Sequence, residues 1–351
     1  MFTVNSSQGI FHANKIEEIF NFRIPGSFPY IVRSTKNNGL RGYIVKNEKC
    51  LNEGQTLSFA QDTFTVFYQK EKYFTGNKIK ILKPRFSINN ESIMNFLVSC
   101  FKCTLNSLSW GIGSTISSIS NMKIQLPTKQ GKIDYNFMES FIAELEAERV
   151  AELEAYLKVS GFDDYELSDK EKHAIDNYNR LEYKEFDLKF LFGKSTRGKR
   201  LKSSDRIPGD LPFVTAGETN EGISDFIGNK VEIFKRNTTT IDMFGSAKYR
   251  NYNYGCDDHI AVVHTEKLPM GAAIFVTTSI HKSSHNGQFH YGKNFYAKDA
   301  DKLQITLPHR NGKPDYEFME TFILAIQKLV IKDVVLYKDK KIEATKKIVN
   351  K

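Results

Sequence analysis

The densest group of cationic side chains lies between Gly193 and Arg206, where fourteen residues include six lysines and arginines and one aspartate. Glycine, serine and threonine make up most of the remainder. Such a loop can bind phosphate groups through its cations, hydroxyls and backbone N–H groups, although a solvated loop without a ligand would have the same composition. The candidate phosphate ligands are Lys194, Arg197, Lys199, Arg200 and Lys202.

A second segment, Ser246–Tyr254, alternates cations, amides and aromatic rings. Arginine pairs naturally with guanine and asparagine with adenine, and tyrosine can contact phosphate or stack on a base. The alternative is a β-hairpin with an ordinary polar edge. The candidates here are Lys248, Tyr249, Arg250 and Asn251, and those in the first half of the chain are Arg33, Lys36, Arg41, Gln69, Lys70 and Lys72.

The elements that position these residues occur twice. Residues 124–142 and 305–323, displaced by 181, are identical at twelve of nineteen positions. Upstream, the run from Ile24 to Ile31 corresponds to the run from Ile207 to Val214, and the pair Trp110-Gly111 corresponds to Tyr291-Gly292. The sequences between these anchors differ almost completely. A period near 180 residues indicates a duplicated domain with a shared frame and divergent interiors.

Each copy has the same predicted order of elements. Short runs rich in β-branched and aromatic residues predict strands, and a helix follows them. These segments are Tyr30–Val32, Thr63–Tyr68, Lys78–Leu82, Glu91–Leu108, Pro212–Thr215, His259–His264 and Met270–Lys282. A short strand ending in Leu-Pro then leads to Asp134 or Asp315, each of which is expected to cap a long helix. The pattern predicts an α+β fold.

Each long helix has an apolar stripe at heptad-like spacing. The core positions predicted from this spacing are Met138, Ile142, Leu145, Tyr156, Met319, Ile323, Ile326, Val330 and Tyr337. Two equivalent amphipathic helices from duplicated halves would bury these stripes most simply by packing against each other as an antiparallel pair. Between the copies, Ser168 and Glu171 form a predicted capping box that opens a connector helix.

The composition and the absence of several motifs limit the classes of function that the chain can have. The 351 residues carry a net charge of +9, which favours a polyanionic partner. Four cysteines, no apolar run long enough to span a membrane and no signal peptide predict a cytoplasmic protein. The lone Cys100/Cys103 pair is more typical of buried thiols than of zinc ligation, and the cluster of His281, His285 and His290 is more typical of surface residues. Methyltransferase, nucleotide-binding and hydrolase motifs are absent, so the chain is expected to be non-catalytic.

The ordered set of repeated motifs resembles the specificity (S) subunits of type I and BcgI-like type IIB restriction–modification systems. The likeness rests on the Ile-Pro-Gly entries at Ile24 and Ile207, the Asn-x-Gly turns at Asn37 and Asn220, the aromatic-Gly pairs and the Leu-Pro…Asp-Tyr-x-Phe helix starts. In that family, each half is a target recognition domain that reads one part of a split DNA sequence. The two long helices separate the halves and dock methyltransferase subunits.

The resemblance implies two tandem target recognition domains, each followed by a long amphipathic helix, with the helices in an antiparallel coiled coil of pseudo-twofold symmetry. The expected segments are 1–133 and 185–314 for the domains, 134–184 for the first long helix with its connector, and 315–351 for the second helix and tail. The partners would be double-stranded DNA and methyltransferase or methyltransferase–nuclease subunits, with no membrane and no small-molecule substrate. The chain itself would hold no cofactor or metal, because S-adenosylmethionine and Mg²⁺ would belong to those partners.

Two other functions are compatible with the residues alone. The chain could be a diverged DNA-modifying enzyme, in which case the purified protein would act on DNA with Mg²⁺ or a methyl donor. It could also be a protein-interaction scaffold built from duplicated domains. A scaffold would lack the steep loss of DNA affinity with salt that phosphate contacts produce.

Overall fold

The computed structural model describes residues 1–86, 90–105 and 115–349. The chain divides into two compact units, the first made of Met1–Leu153 with Thr345–Lys351 and the second of Glu154–Ala344. The predicted anchor Trp110-Gly111 and the end of the helix predicted to reach Leu108 lie outside the described residues.

The first part of the chain is rich in strands and carries one long domain helix, α1. The strands are β1 Phe2–Ser6, β2 Phe28–Ile31, β3 Leu40–Ile44, β4 Thr56–Ala60, β5 Thr65–Gln69, β6 Phe74–Thr75, β7 Ile79–Pro84, β8 Thr128–Lys129 and β9 Lys132–Ile133. The helices are α1 Glu91–Leu105, α2 Ile116–Ser120 and α3 Tyr135–Ser160. The residues of α3 are shared between the two units, since the first ends at Leu153.

The second part repeats this plan after a short connector helix. Its strands are β10 Tyr183–Asp187, β11 Thr196–Arg197, β12 Pro208–Val214, β13 Ile223–Ile227, β14 Thr238–Ile241, β15 Ala247–Arg250, β16 Gly255–Cys256, β17 Ala261–Val263, β18 Gln304–Arg310 and β19 Lys313–Pro314. The helices are α4 Asp169–Asn177, α5 Leu188–Phe192, α6 Met270–Ser284, α7 Ala297–Ala300 and α8 Tyr316–Val349.

Sheet topology demonstrates the duplication independently of sequence. A four-stranded antiparallel sheet has the order β1-β7-β4-β5 in the first unit and β11-β17-β14-β15 in the second. A three-stranded sheet has the order β3-β2-β6 and β13-β12-β16, and in both sheets the last pair is parallel. The predicted α+β duplication is therefore confirmed, even where the two sequences share no residues.

One face of each four-stranded sheet is covered by the domain helix. In the first unit, Leu57 and Phe59 of β4 pack with Met94 and Leu97 of α1. In the second unit, Ile241 of β14 belongs to the cluster that contains several residues of α6. Each sheet thus has a central strand without exposed residues, because it is paired on both edges and covered by the helix.

The two long helices begin with the same cap, as predicted. Asp134 Oδ1 accepts a hydrogen bond from Phe137 N at 3.0 Å, and Asp315 Oδ1 accepts one from Phe318 N at 3.0 Å. Satisfying these free N–H groups fixes where each helix starts. The connector capping box is also present, with Glu171 accepting from Ser168 N at 2.7 Å.

The predicted stripe on the helices needs a correction. Met138 and Met319 are fully buried in the cores of their own units, and Ile142 and Ile323 are half-buried, but the positions farther along are exposed. Val330 is 73% exposed and Tyr337 55%. The exposed predicted core positions are Leu145, Tyr156, Ile326, Val330 and Tyr337.

Other positions are buried in their place. Leu157 in α3 and Ala325 and Val335 in α8 are inaccessible or nearly so, and Lys338 is also buried. Leu157 and Lys338 follow the predicted Tyr156 and Tyr337 by one residue, whereas Ala325 precedes the predicted Ile326, and one residue corresponds to a rotation of about 100° around the helix. Both helices are apolar over more than one face near their starts, so heptad spacing alone did not distinguish the buried stripe from the adjacent one. Among the described residues, no helix is long and apolar enough to cross a membrane.

Candidate DNA interface

The basic loop, defined here as residues 194–202, lies on the surface of the second unit. All five cations predicted to bind phosphate (Lys194, Arg197, Lys199, Arg200 and Lys202) are exposed. Within the described part of the chain, no carboxylate forms an ion pair with any of them. Arg200 lies close enough to Asp258 to help lower the pKa of that carboxyl. The five exposed cations together form a local positive potential that a polyanion can neutralise.

Glycine allows the basic loop to lie directly on the sheet. A Cβ atom at Gly198 would come within 1.7 Å of the Cys256 carbonyl oxygen, so no other residue fits without moving the backbone. Cys256 follows Gly255 in β16, which pairs with β12. The loop is therefore attached to a buried strand at its midpoint, with Arg197 on one side of the contact and Lys199 and Arg200 on the other.

A polar cleft of about 650 Å³ occupies another surface of the second unit. It combines amides, cations and one tyrosine, which can bind base edges and phosphates, with the carboxylate of Glu266 and the apolar side chain of Met270. Its lining includes Lys235, Arg236, Asn237, Tyr249, Asn251 and Asn253. The Tyr249 hydroxyl donates to Asn237 Oδ1 at 2.8 Å, and burial raises the pKa of Tyr249, so the hydroxyl stays protonated.

The sequence prediction found only part of this cleft. Tyr249 and Asn251 were predicted, whereas Lys235, Arg236 and Asn253 were not. The available signal was the Lys-Arg-Asn run directly before the threonine-rich strand β14. The cleft and the basic loop are not brought together by the sheet, because β11 and β15 are its opposite edge strands.

Arg250 does not contact a ligand in the way predicted. Its side chain is only 1% exposed and lies inside the second unit. Nη2 donates to the Glu221 carbonyl oxygen at 2.8 Å, Nε to Thr240 Oγ1 at 2.9 Å and Nη1 to the Tyr252 hydroxyl at 2.9 Å. Each of the three guanidinium nitrogens therefore has a hydrogen-bond acceptor inside the fold, which offsets part of the cost of burying the charge. A side chain buried in this way cannot reach base edges, so the prediction that Arg250 reads bases was wrong.

The prediction that Gln69 binds DNA needs the same correction. Gln69 occupies the position in the first unit that corresponds to Arg250 in the second. Its Nε2 donates to the Asn38 carbonyl oxygen at 3.1 Å and to Ser58 Oγ at 3.0 Å. Asn38 corresponds to Glu221 and Ser58 to Thr240 in the repeat. Both side chains thus connect the edge strand of the sheet to the same left-handed turn. We call Gln69 and Arg250 the latch residues.

The turn held by the latch needs unusual backbone geometry. Asn37 and Asn38 have φ values of 49° and 54°, and Asn220 and Glu221 have values of 49° and 55°. The glycine after each pair also has positive φ, and its carbonyl accepts a hydrogen bond of 2.8 Å from Val32 N or Thr215 N. Such a turn is costly to form, so the buried hydrogen bonds from the latch residue contribute to holding it.

The first unit presents its cations on and beside this turn. Lys36, Arg41 and Lys72 are exposed, but Arg33 pairs with Asp62 and Lys70 pairs with Glu91. Lys78 also binds Asp62, at 3.1 Å. Hydrogen bonds from Lys78 and Arg33 lower the pKa of Asp62, which keeps it charged and neutralises part of the cationic surface. In the second unit, Lys248 is likewise paired, with Glu218 at 3.3 Å.

The possible metal ligands form a weak site. Within the described ranges, the one group of possible ligands found is Asp257, Asp258 and His259, whose ligand atoms lie within 4.8 Å of one another. Exposed acidic residues are commonly grouped in this way without an ion. His281, from the predicted histidine cluster, is not a member of this group. Its Nδ1 accepts a hydrogen bond from Ala247 N at 3.1 Å. Cys103 is exposed and Cys100 is only half-buried, so the prediction of two buried thiols was wrong.

Comparison with known proteins identifies the duplicated domain. The family model for the type I restriction modification DNA specificity domain matches residues 5–155 and again residues 181–336. A curated relative, the specificity subunit S.BcgI of a type II restriction enzyme from Heyndrickxia coagulans, is 25% identical over 310 residues, covering 86% of this chain and 87% of that protein. Both matches agree with the predicted duplication and with the resemblance based on the repeated motifs.

A solved structure supports the same fold. The S subunit of a type I restriction–modification system from M. genitalium superposes with a TM-score of 0.59 at 15% identity, covering 99% of this chain and 91% of that chain. The family consists of DNA specificity domains rather than enzymes, in agreement with the expectation of a non-catalytic chain. The two matched regions together cover most of the sequence. The chain therefore belongs to the family of type I restriction modification DNA specificity domains.

Proposed function

We propose that this chain is the DNA-recognition subunit of a restriction–modification complex and that it binds a bipartite, asymmetric site in double-stranded DNA. The observation that carries the proposal is that both units have the same frame but unlike surfaces, namely a basic loop without ion pairs among the described residues in one unit and a turn with partly paired cations in the other. Unlike surfaces on like frames suit two different half-sites. Methylation and cleavage would be performed by partner subunits.

Contacts to phosphate and to bases would come from different residues. In the second unit, the basic loop would bind phosphate, and Asn251 and Tyr249 in the polar cleft would read bases with Asn253, Lys235 and Arg236. In the first unit, the exposed Lys36, Arg41 and Lys72 would bind phosphate, and Arg33 and Lys70 would exchange carboxylate partners for phosphates. Lys248 would do the same in the second unit. The latch residues would act only by holding the turns.

The long helices would set the distance between half-sites. We propose that α3 and α8 pack as an antiparallel coiled coil that relates the two domains by pseudo-twofold symmetry. Their identical caps and their equivalent places after each domain support this arrangement. The corresponding segments are 1–133, 134–184, 185–314 and 315–351. Inserting one helical turn after both Leu145 and Ile326 should lengthen the preferred gap, and an unchanged gap would contradict the proposal.

Cofactors would be held by the partners. S-adenosylmethionine and Mg²⁺ would belong to methyltransferase or methyltransferase–nuclease subunits, and this chain would supply no ligand to either. A complex that acts on the chromosome and uses a soluble methyl donor would operate in the cytoplasm. Methyl transfer or cleavage by the purified chain alone would contradict this division of roles.

A DNA titration at several salt concentrations tests the proposal. Each phosphate contact releases counterions, so the logarithm of the binding constant should fall linearly with the logarithm of salt concentration, with a slope of about −0.9 per contact. A duplex carrying the preferred site should also bind more tightly than a scrambled duplex at every salt concentration. A protein-interaction scaffold would show neither the steep slope nor the preference.

A further inference from the structure

A row of three side chains connects the basic loop with the polar cleft in the second unit. Oγ1 of Thr196, which lies within the basic loop, is 2.8 Å from His264 Nε2, and His264 Nδ1 is 3.0 Å from Glu266 Oε1. Glu266 in turn lines the polar cleft. A carboxylate oxygen accepts hydrogen bonds, so Nδ1 donates and Nε2 of a neutral ring accepts from Thr196. The two partners therefore fix the orientation of the imidazole ring.

The backbone of Glu266 is fixed as well as its side chain. Asn237 Nδ2 donates to the carbonyl oxygens of Glu266 at 3.3 Å and of Leu268 at 2.8 Å. Asn237 Oδ1 is itself held by the hydroxyl of Tyr249 at 2.8 Å. The side chain of Glu266 is nevertheless 29% exposed. A ligand in the polar cleft would therefore meet a carboxylate whose position is already set.

The equivalent position in the first unit carries the opposite charge. Val263, the last residue of β17, corresponds to Leu82 of β7, because the two pair with equivalent residues of β14 and β4. Three residues farther along, Glu266 corresponds to Arg85, at the displacement of 181 that the repeated sequences have. Arg85 is exposed and, as far as the structure describes the chain, forms no ion pair.

Both side chains are attached to the same edge of the sheet. Arg85 Nε donates to Oγ1 of Thr3, a residue of β1, at 3.0 Å. Glu266 is attached through His264 to Thr196 of β11, and β1 and β11 have the same place in the two strand orders. The frame thus holds the side chain at this position in both units, whereas the charge of that side chain differs.

A carboxylate in a cleft that binds DNA needs a hydrogen-bond donor, because it repels phosphate groups. Lys235 and Arg236 line the same cleft, and among the described residues neither forms an ion pair with Glu266. In the major groove, cytosine presents the N4 amino donor, whereas adenine adds the acceptor N7 beside its amino group. A carboxylate, which can only accept, therefore suits cytosine. Arginine suits the O6 and N7 acceptors of guanine instead.

We propose that this position selects one base in each half-site, with Glu266 reading cytosine and Arg85 reading guanine. The inference rests on the proposed function, because it needs both units to bind DNA. His264 and Thr196 would be positioning residues that hold the carboxylate of Glu266 toward the cleft. The shared anchor on the edge strand and the opposite charges would let one frame read two different bases.

Duplexes with altered bases test the assignment of Glu266 in the full-length chain. Each cytosine of the preferred site is replaced in turn by 2-pyrimidinone, which lacks the amino group. The wild-type chain should bind about tenfold more weakly at one such position, and Glu266→Ala should show no loss there. Glu266→Gln, which keeps the shape of the side chain, should admit adenine at that position. Unchanged cytosine selection by both variants would overturn the inference.

Arg85→Ala is the matched variant, since it changes the equivalent position of the other unit. It should lose the sensitivity of the wild-type chain to 7-deazaguanine, which lacks N7, at one position of the other half-site. The control is Glu232→Ala, which removes an exposed carboxylate outside the polar cleft and should leave both half-sites unchanged. Relaxation of the same base by Glu232→Ala and Glu266→Ala would contradict the proposed contact.

A double-variant comparison tests the positioning role of His264. His264→Ala should weaken discrimination at the same cytosine, and combining it with Glu266→Ala should cause no further loss there. Additive losses would contradict this role. The two proposals fail in different ways. A wild-type chain without base preference or salt dependence would refute the proposed function, whereas a wild-type chain with both, whose Glu266→Ala variant still selects cytosine, would refute this inference alone.

Discussion

The two latch residues show how one fold position can be filled by unlike side chains. Gln69 reaches the turn carbonyl and the strand hydroxyl with a neutral amide, whereas Arg250 reaches the same two groups with a buried cation and adds the Tyr252 hydroxyl. A buried guanidinium group has more N–H donors than an amide, and the second unit supplies three acceptors where the first supplies two. Both side chains hold the same turn, although one is a glutamine and the other an arginine.

The largest expected effect is the loss of this buried cation. Arg250→Ala would leave the Glu221 carbonyl, Thr240 and Tyr252 without their donor and open a cavity, which should destabilise the second unit by about 3 kcal/mol or more. Gln69→Ala removes fewer hydrogen bonds and should cost about half as much. Denaturant unfolding with separate probes for each unit measures both. Equal effects would contradict the distinction between the two latches.

Arg250→Gln sharpens the same comparison. It gives the second unit the side chain that the first unit uses, so the free energy of unfolding should fall less than for Arg250→Ala. Its DNA preference should remain that of the wild type, because the side chain at position 250 is buried inside the unit. A changed half-site in this variant, with the fold intact, would restore Arg250 to the base-reading residues.

Asn251 tests whether the units read different half-sites. Asn251→Ala should relax preference by about 1–3 kcal/mol at positions of one half-site and leave the other unchanged, because the residue lines a cleft found in the second unit. Binding-site selection measures both halves in one experiment. Relaxation of both half-sites, or of neither, would contradict the assignment.

The basic loop should give a smaller effect that does not depend on sequence. Lys199→Ala with Arg200→Ala should weaken binding similarly on all duplexes and reduce the salt slope by about 2, since two phosphate contacts are lost. The control is Lys170→Ala with Lys172→Ala in the connector helix, which removes the same charge elsewhere. If both pairs lower affinity equally, net charge rather than the loop is responsible.

The smallest expected effect concerns a tyrosine–threonine hydrogen bond that occurs once in each unit. Tyr73 and Tyr254 are buried and bond to Thr56 at 3.0 Å and to Thr238 at 2.9 Å. Burial raises the pKa of both hydroxyls, so they remain protonated. Replacing either with Phe should cost about 1 kcal/mol, and the two values should agree within experimental error. Clearly different costs would mean that the two frames are less alike than their geometry indicates.

The repeated frame was accessible from sequence because it depends on local chemistry. The caps at Asp134 and Asp315, the turn glycines and the domain helices are each specified by a few neighbouring residues, and the structure contains them where expected. A second copy of each motif added evidence that a single copy would not give. The family assignment followed from the same repeated motifs.

The site residues were harder to predict from the sequence, because the burial of a side chain depends on residues that are distant in the sequence. Arg250 looks like a base-reading residue in its own segment, and only the turn at Glu221 and the hydroxyls of Thr240 and Tyr252 show that its charge is satisfied inside the fold. The prediction of the helix stripe failed for a related reason, since adjacent faces of α8 are both apolar and tertiary packing buries Ala325 rather than the predicted Ile326. Ion pairs such as Arg33 with Asp62 also join residues far apart in sequence.

Binding-site selection with chimaeric chains tests the central claim most directly. Residues 185–314 would be replaced by the equivalent domain of a related specificity subunit, and the preferred duplexes would be sequenced for both proteins. The account predicts two unlike blocks of preferred bases at a fixed gap, with one block changed in the chimaera and the other retained. A single continuous motif, or a change in both blocks, would contradict it.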